Sequence, residues 1–339
     1  VRAQNKCDRC EEEAKIFLGY GPHRFCREHF LHYFEKRVQK TMRTAGMIER
    51  GEKIAIGVSG GKDSMVTLHL LSEIYAKTNP IEAILIDEGI HGYRDKSMQI
   101  GIDYCKANGI PYHTVSFQSE FGVNMEQVMQ KISGDEKLGS TCSFCGVFRR
   151  HFLNKKAMEI GAAKLATGHN LDDEVQSIAM NLFNNDLVKL ARLGEKTSGL
   201  EGKGFVPRIK PLYDTPEKEI IAYAAFKGLR HYSEECCPYS WTAKRNLYRK
   251  VLNELEEQSP GTKHSILATF RQLKPVLLEK GFAKGNTPLE MHEGMEAGVS
   301  RQLERLANTS TKTPESKSLK KEKTLSCAQT KGTTPFAEN

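Results

Sequence analysis

The stretch Val58–Ser64, VSGGKDS, stands between the apolar run KIAIG (53–57) and the periodic run MVTLHLLSEIYAK (65–77). It reads as the point where a buried strand becomes a helix. Two adjacent glycines allow backbone conformations and a closeness of approach that side chains forbid, so successive N–H groups can converge on an anion. The helix that follows adds the positive end of its dipole. A phosphate cradle fits these features, although the spacing is not that of the G-x-x-x-x-G-K-[ST] loop. An ordinary strand-to-helix turn would explain Gly60 and Gly61 alone, but not the lysine, acid and two hydroxyls beside them.

Outward from this turn, strands are predicted over 53–58, 82–87, 112–117 and 164–168, and helices over 63–77, 94–108, 147–160 and 171–184. Apolar, β-branched strands alternating with helices point to an α/β fold with a doubly wound parallel sheet covered on both faces. Residues 184–206 read as a surface loop, and PRIKPL with the helix TPEKEIIAYAAFKG closes the α/β region. Helical periodicity over 242–257 and 261–280 forms an appendage, and the Ser-, Thr- and Lys-rich end reads as disordered. The expected division is 1–32 for a zinc-binding module, 33–50 for a basic linker helix, 51–240 for the catalytic domain, 241–307 for the helical appendage and 308–339 for the tail.

The 339 residues are enough for one substantial domain with satellites. Fifty Lys+Arg against 42 Asp+Glu give +8 and a pI near 8.9, a balance that favours a polyanionic partner. The apolar runs are too short to span a bilayer and no signal-peptide core is seen, so a soluble, cytoplasmic protein without membrane association is expected.

Ligands of such sheets sit at the carboxyl ends of the strands. Beside Val58, Ser59, Gly60, Gly61, Lys62, Asp63 and Ser64, the expected nucleotide site therefore draws Ile86 and Asp87 from LIDEGIHGYRDKS and Gly168, His169, Asp172 and Asp173 from ATGHNLDDE. Asp172 and Asp173 could hold Mg²⁺, or could simply cap a helix.

Nine cysteines fall in patterns that point to metal or redox chemistry more than to structural disulfides. Cys142-x-x-Cys145 with Cys237 of ECCPYS can hold zinc, form a redox pair or ligate an iron–sulfur cluster, and the spacing does not choose. Three cysteines on a 4Fe–4S cluster would leave one iron open for an exogenous sulfur. At the other end, Cys7-x-x-Cys10 and Cys26-x-x-His29 have the spacing of a Cys₃His zinc site, with His23 and His32 as alternative fourth ligands. Such a site serves a structural knuckle or a nucleic-acid finger.

SGGKDS resembles the PP-loop of ATP pyrophosphatases. Together with the N-terminal ligands, DEGIHGYRD, CSFCGVFRR, TGHNLDDE, PRIKPL, CCPYS and LNELEEQSPGTK, it resembles the TtuA/NcsA family of tRNA 2-thiouridine synthetases. The resemblance implies an enzyme that uses ATP to adenylylate the C2 oxygen of a tRNA uridine and then replaces that oxygen with sulfur. It implies that Ser59–Ser64 grip the pyrophosphate with Mg²⁺, that Cys142, Cys145 and Cys237 ligate a 4Fe–4S cluster, and that Asp173 and Arg149 stand at catalytic positions. T-loop thiolases carry lysine where Arg149 stands, and a guanidinium is a poor proton carrier, so charge stabilisation is its expected role. GVFRR and DEGIHGYR are more similar to the wobble-uridine branch, shared by archaea and the eukaryotic cytosol. A T-loop uridine or cytidine thiolase of the same superfamily and a non-catalytic zinc-dependent RNA-binding adaptor are the competing readings. The implied partners are tRNA and a sulfur donor, either sulfide or a ubiquitin-like thiocarboxylate carrier; a homodimer is compatible. The family commonly ends in a second four-cysteine finger, but the tail TLSCAQTKGTTPFAEN offers only Cys327.

Overall fold

In the computed structural model, residues 5–132, 141–196, 204–233, 237–239, 245–282 and 297–304 are described. Strands β1 (Ile16–Leu18) and β2 (His23–Phe25) form an antiparallel hairpin that leads into helix α1 (Arg27–Thr44). The expected linker helix thus begins before residue 33 and carries His29 in its first turn. Its buried stripe of Phe30, Phe34, Val38 and Met42 recurs at helical spacing. These residues join Cys7, Phe25 and Cys26 to Ile54, Ile56 and Leu85 of the main sheet in one apolar core. The N-terminal module is therefore built onto the α/β region.

Beyond it run β3 (Ile54–Gly57), α2 (Lys62–Tyr75), β4 (Ile81–Asp87), α3 (Arg94–Ala107), β5 (Tyr112–Ser116), α4 (Phe117–Phe121), α5 (Met125–Ile132), α6 (Thr141–Glu159), β6 (Lys164–Ala166), α7 (Leu171–Phe183), α8 (Leu187–Ala191), β7 (Arg208–Ile209) and α9 (Glu217–Lys227). The five strands pair in the order β5-β4-β3-β6-β7, all parallel. Side chains alternate across the sheet, so Ile54 and Ile56 enter the core under α1, α2 and α9, while Ala55 enters the opposite one. There Phe144, Phe148 and Phe152, one helical turn apart on α6, pack over Ile84, Val115 and Leu165.

The sheet is the doubly wound one expected. Its order reverses beside β3, with β4 and β5 to one side and β6 and β7 to the other, which opens a crevice above the carboxyl ends of β3 and β6. Two differences matter for the site. Helix α6 starts at Thr141 instead of near 147, which puts Cys142 and Cys145 on helical backbone one turn apart. The expected loop at 184–206 contains the short helix α8, whose Leu190 and Ala191 join a third core.

That third core, with Leu171, Val175, Ile178, Leu252, Leu267 and Phe270, docks the appended helices α10 (Arg245–Gln258) and α11 (Thr262–Glu279) onto α7. The tail beyond 308 and its Cys327 lie outside the described residues. Among those described, no helix is long and apolar enough to cross a membrane.

Candidate active site

At the end of β3, Gly60 takes φ +80°, and a Cβ there would lie 1.8 Å from the Ser97 carbonyl oxygen. Only glycine fits both the conformation and the space. Ser64 folds back over the turn: its Oγ accepts from Ser59 N–H at 3.1 Å, donates to the Gly61 carbonyl at 2.9 Å and lies 3.0 Å from Ser59 Oγ. Gly61 is the N-cap of α2 and gives no side-chain cap, so the first-turn N–H groups keep their capacity for an anion. Gly168, at the end of β6, presses on the Asp63–Ser64 peptide, where a Cβ would lie 2.8 Å from the Asp63 carbonyl carbon. Val58 is buried and donates its N–H to Ile84 at 2.8 Å, anchoring the turn to the sheet.

Charged side chains line the crevice. Lys62 Nζ lies 2.6 Å from Glu217 and 3.2 Å from Asp63. Asn170 caps α7, accepting from Asp173 N–H at 3.0 Å and donating to Asp63 Oδ1 at 3.1 Å, so it joins two carboxylates across the crevice. Asp173 also pairs with Arg245 of α10 at 3.3 Å. Burial pushes the Asp173 carboxyl up to about 6 against the pull of Arg245, and the nearby Asp63 adds to the rise. Burial likewise raises Asp63, with Lys62 opposing it. Two neighbouring carboxyls that both resist ionisation make a site a divalent cation would relieve. His169, with Nδ1 2.9 Å from Thr167 Oγ1, is lowered to about 3 by desolvation and then by Lys210, Arg245 and Arg208. It stands neutral.

Not every predicted residue faces the crevice. Asp172 is buried: it accepts Glu217 N–H at 2.7 Å and pairs with the buried Lys263 of α11. Successive helical residues point about 100° apart, so Asp173 looks into the crevice and Asp172 into the junction of α7, α9 and α11. Ile86 is buried and its carbonyl accepts Arg94 Nε at 2.5 Å, while Asp87 Oδ1 accepts Gly89 N–H at 2.8 Å, so both shape the loop after β4. That loop holds the residues sequence reasoning passed over. Glu88 is 4% exposed and lies 2.7 Å from Arg94 and 3.2 Å from Arg149. A cluster of opposite charges in a segment flanked by buried strand was the signal for it.

Cys142, Cys145 and Cys237 gather on the same side of the sheet. Cys142 Sγ lies 3.6 Å from the Tyr239 carbonyl, and Cys145 and Cys237 pack against the same core beneath α6. Burial, then Glu88, pushes the Cys145 thiol up to about 12, and burial raises Cys237. Cys236, the neighbouring cysteine of ECCPYS, lies outside the described residues. In the N-terminal module, Cys7, Cys10, Cys26 and His29 bring their donor atoms within 4.8 Å of one another. The Cys10–Cys26 sulfurs are 3.7 Å apart and His29 Nδ1 is 3.3 Å from Cys26 Sγ. Tetrahedral zinc–thiolate geometry asks for sulfurs about 3.8 Å apart, so the set fits zinc. The alternative ligand His23 is exposed and turned to Asp8 at 3.7 Å, and His32 is also exposed. Among the described residues this is the one ligand group so closely gathered.

A parallel sheet with its order reversed beside a glycine-bounded anion turn, completed by the carboxyl ends of β4 and β6, defines a PP-loop nucleotide-binding protein. A profile of the PP-loop domain matches residues 30–255. The chain is 38% identical over 297 residues to the tRNA 2-thiolation protein NcsA of Haloferax volcanii, covering 84% of this chain and 91% of the relative. It is 37% identical over 269 residues to the tRNA-5-methyluridine(54) 2-sulfurtransferase of Pyrococcus horikoshii, covering 79% and 83%. Among solved structures, the U34-tRNA thiolase NcsA from Methanococcus maripaludis with its 4Fe–4S cluster superimposes with a TM-score of 0.69 and 34% identity, covering 80% of this chain and 87% of the other. The chain belongs to the PP-loop family of tRNA 2-thiolation proteins.

Proposed function

We propose that this chain converts uridine to 2-thiouridine in tRNA, activating the C2 oxygen with ATP and acting at the wobble position. One observation carries the reading: the uncapped anion turn on α2 and the cysteine-bearing helix α6 flank the carboxyl end of a single sheet, with Glu88 between them. The N–H groups that begin α2 would hold the pyrophosphate, and Asp63 with Asp173 would hold the Mg²⁺ that balances it. Asp173 is thus given a metal-binding role beside the reacting phosphate. Arg149, whose side chain is 42% exposed, would face the negative charge that grows on the activated oxygen. Arginine here, where the T-loop enzymes have lysine, supports the wobble position.

Cys142, Cys145 and Cys237 would bind a 4Fe–4S cluster, whose open iron would carry the sulfur taken from the donor. Cys7, Cys10, Cys26 and His29 would hold a structural Zn²⁺. The sulfur donor is sulfide or a ubiquitin-like thiocarboxylate carrier. We place the protein in the cytoplasm.

The test is to reconstitute the protein anaerobically, supply ATP, Mg²⁺, sulfide and unmodified tRNA, and map thiolated nucleosides by mass spectrometry. Thiolation at the wobble uridine is the expected result. Thiolation in the T-loop would correct the position, and RNA binding without AMP release would replace the enzyme by the adaptor.

A further inference from the structure

We propose that Glu88 is a positioning residue, a buried carboxylate that holds Arg149 of the cysteine helix in register with the nucleotide turn gripped by Arg94. The proposal rests on the thiolation reading for the reaction it serves, while its geometry stands apart from it.

Arg94 is 3% exposed and fixed from several sides. Its Nε donates to Ile86 O at 2.5 Å, and one terminal nitrogen donates to Ser59 O at 2.7 Å and Ser97 Oγ at 3.3 Å. The Ser97 carbonyl lies directly against Gly60. Arg94 and the anion turn therefore form one rigid piece. Arg149 is held otherwise: its ion-pair partner among the described residues is Glu88, 3.2 Å from Nε, and its side chain is 42% exposed. Glu88 meets both arginines, Oε2 toward Arg94 and Oε1 toward Arg149. One carboxylate against two guanidiniums leaves a net positive charge, and Arg149 is its exposed member. Without Glu88 the two cations repel, and Arg149, which lacks the backbone anchors of Arg94, is the one that moves.

Removing the carboxylate should therefore misplace Arg149 and leave the turn intact, because Arg94 keeps its three other acceptors. For Glu88→Gln the expected outcome is a KM for ATP within about threefold of wild type and a kcat for thiolation lower by about 10- to 100-fold, the size of loss that a misplacement of about 1 Å can cause. In an Arg149→Ala background, Glu88→Gln should lower kcat no further, since the residue acts through the one already removed. A general structural role would instead multiply the two losses or raise the KM for ATP, and either result overturns the proposal. A second readout needs no turnover. The Nε–H resonance of Arg149 in a ¹⁵N-labelled protein, identified by its disappearance in Arg149→Ala, should be protected from water exchange in wild type and unprotected in Glu88→Gln. Equal protection in both overturns the proposal. If Glu88→Gln does not fold, Glu88→Asp, one methylene too short to reach both arginines, is read in the same two ways. Should the wild type fail to thiolate tRNA, the functional reading falls and the Nε–H resonance still decides the positioning role.

Discussion

Asp172 and Asp173 show what neighbouring letters conceal. The LDDE run announces a helix start with two acids, but only the packing of α9 and α11 decides which acid is buried with Lys263 and which faces Asp63. The folded Asp173 carboxyl, at about 6, lies above its ordinary value, so its charge works against the native state above pH 6. That cost fades as pH falls through 6 toward 4. Asp173→Asn should therefore stabilise the nucleotide-free protein by about 1–2 kcal/mol at pH 8, a gain that shrinks to nothing near pH 4 and accompanies loss of ATP-dependent chemistry. Denaturant melts at the two pH values check the sign. Gly60 is the opposite case, because its role was legible in the sequence. Gly60→Ala must leave φ +80° and displace the Ser97 carbonyl, and should destabilise the fold by about 3 kcal/mol or more with ATP binding lost. Calorimetric titration with ATP gives the second half.

Elements were readable where hydrophobic period was strong and misjudged where chemistry interrupted it. IAIG, EAILID and KLA gave the strands at sight, since parallel strands buried on both faces are near-continuous apolar runs. Helix α6 begins at Thr141, ahead of its predicted start near 147, because TCSFCG has the look of a ligand loop although Phe144, Phe148 and Phe152 form one helical stripe. The linker helix starts six residues before its predicted beginning, inside the N-terminal module. His29 of the Cys₃His set is on α1, and α1 is also a wall of the main core through Phe30 and Phe34. Metal binding should consequently stabilise more than the hairpin. Chelation, or Cys26→Ser, is expected to lower the cooperative melting transition of the whole α/β region, where an autonomous finger would melt in a separate step. Circular dichroism melts with and without chelator distinguish the two.

At the scale of the molecule, the charge balance and the motif order told of a basic PP-loop protein, but gave the appended helices no task beyond packing. The structure gives them one. Arg245 of α10 reaches Asp173, and Lys263 of α11 reaches Asp172 and lies 2.6 Å from Asn253. The appendage thus holds Asp172 and Asp173 of α7 from outside, through pairings across 91 and 72 residues that no local pattern carries. Lys263 is 6% exposed, as is Asp172, so Lys263→Met would leave a carboxylate buried without its cation. Breaking such a pair from one side costs about 3–5 kcal/mol. Urea melts of Lys263→Met are expected to show that deficit, and the double variant Asp172→Asn, Lys263→Met should recover part of it, because the amide needs no cation. A double variant no more stable than Lys263→Met would mean that Lys263 acts through packing of its aliphatic stem and its bond to Asn253, and that the appendage is tied to the crevice by Arg245 alone.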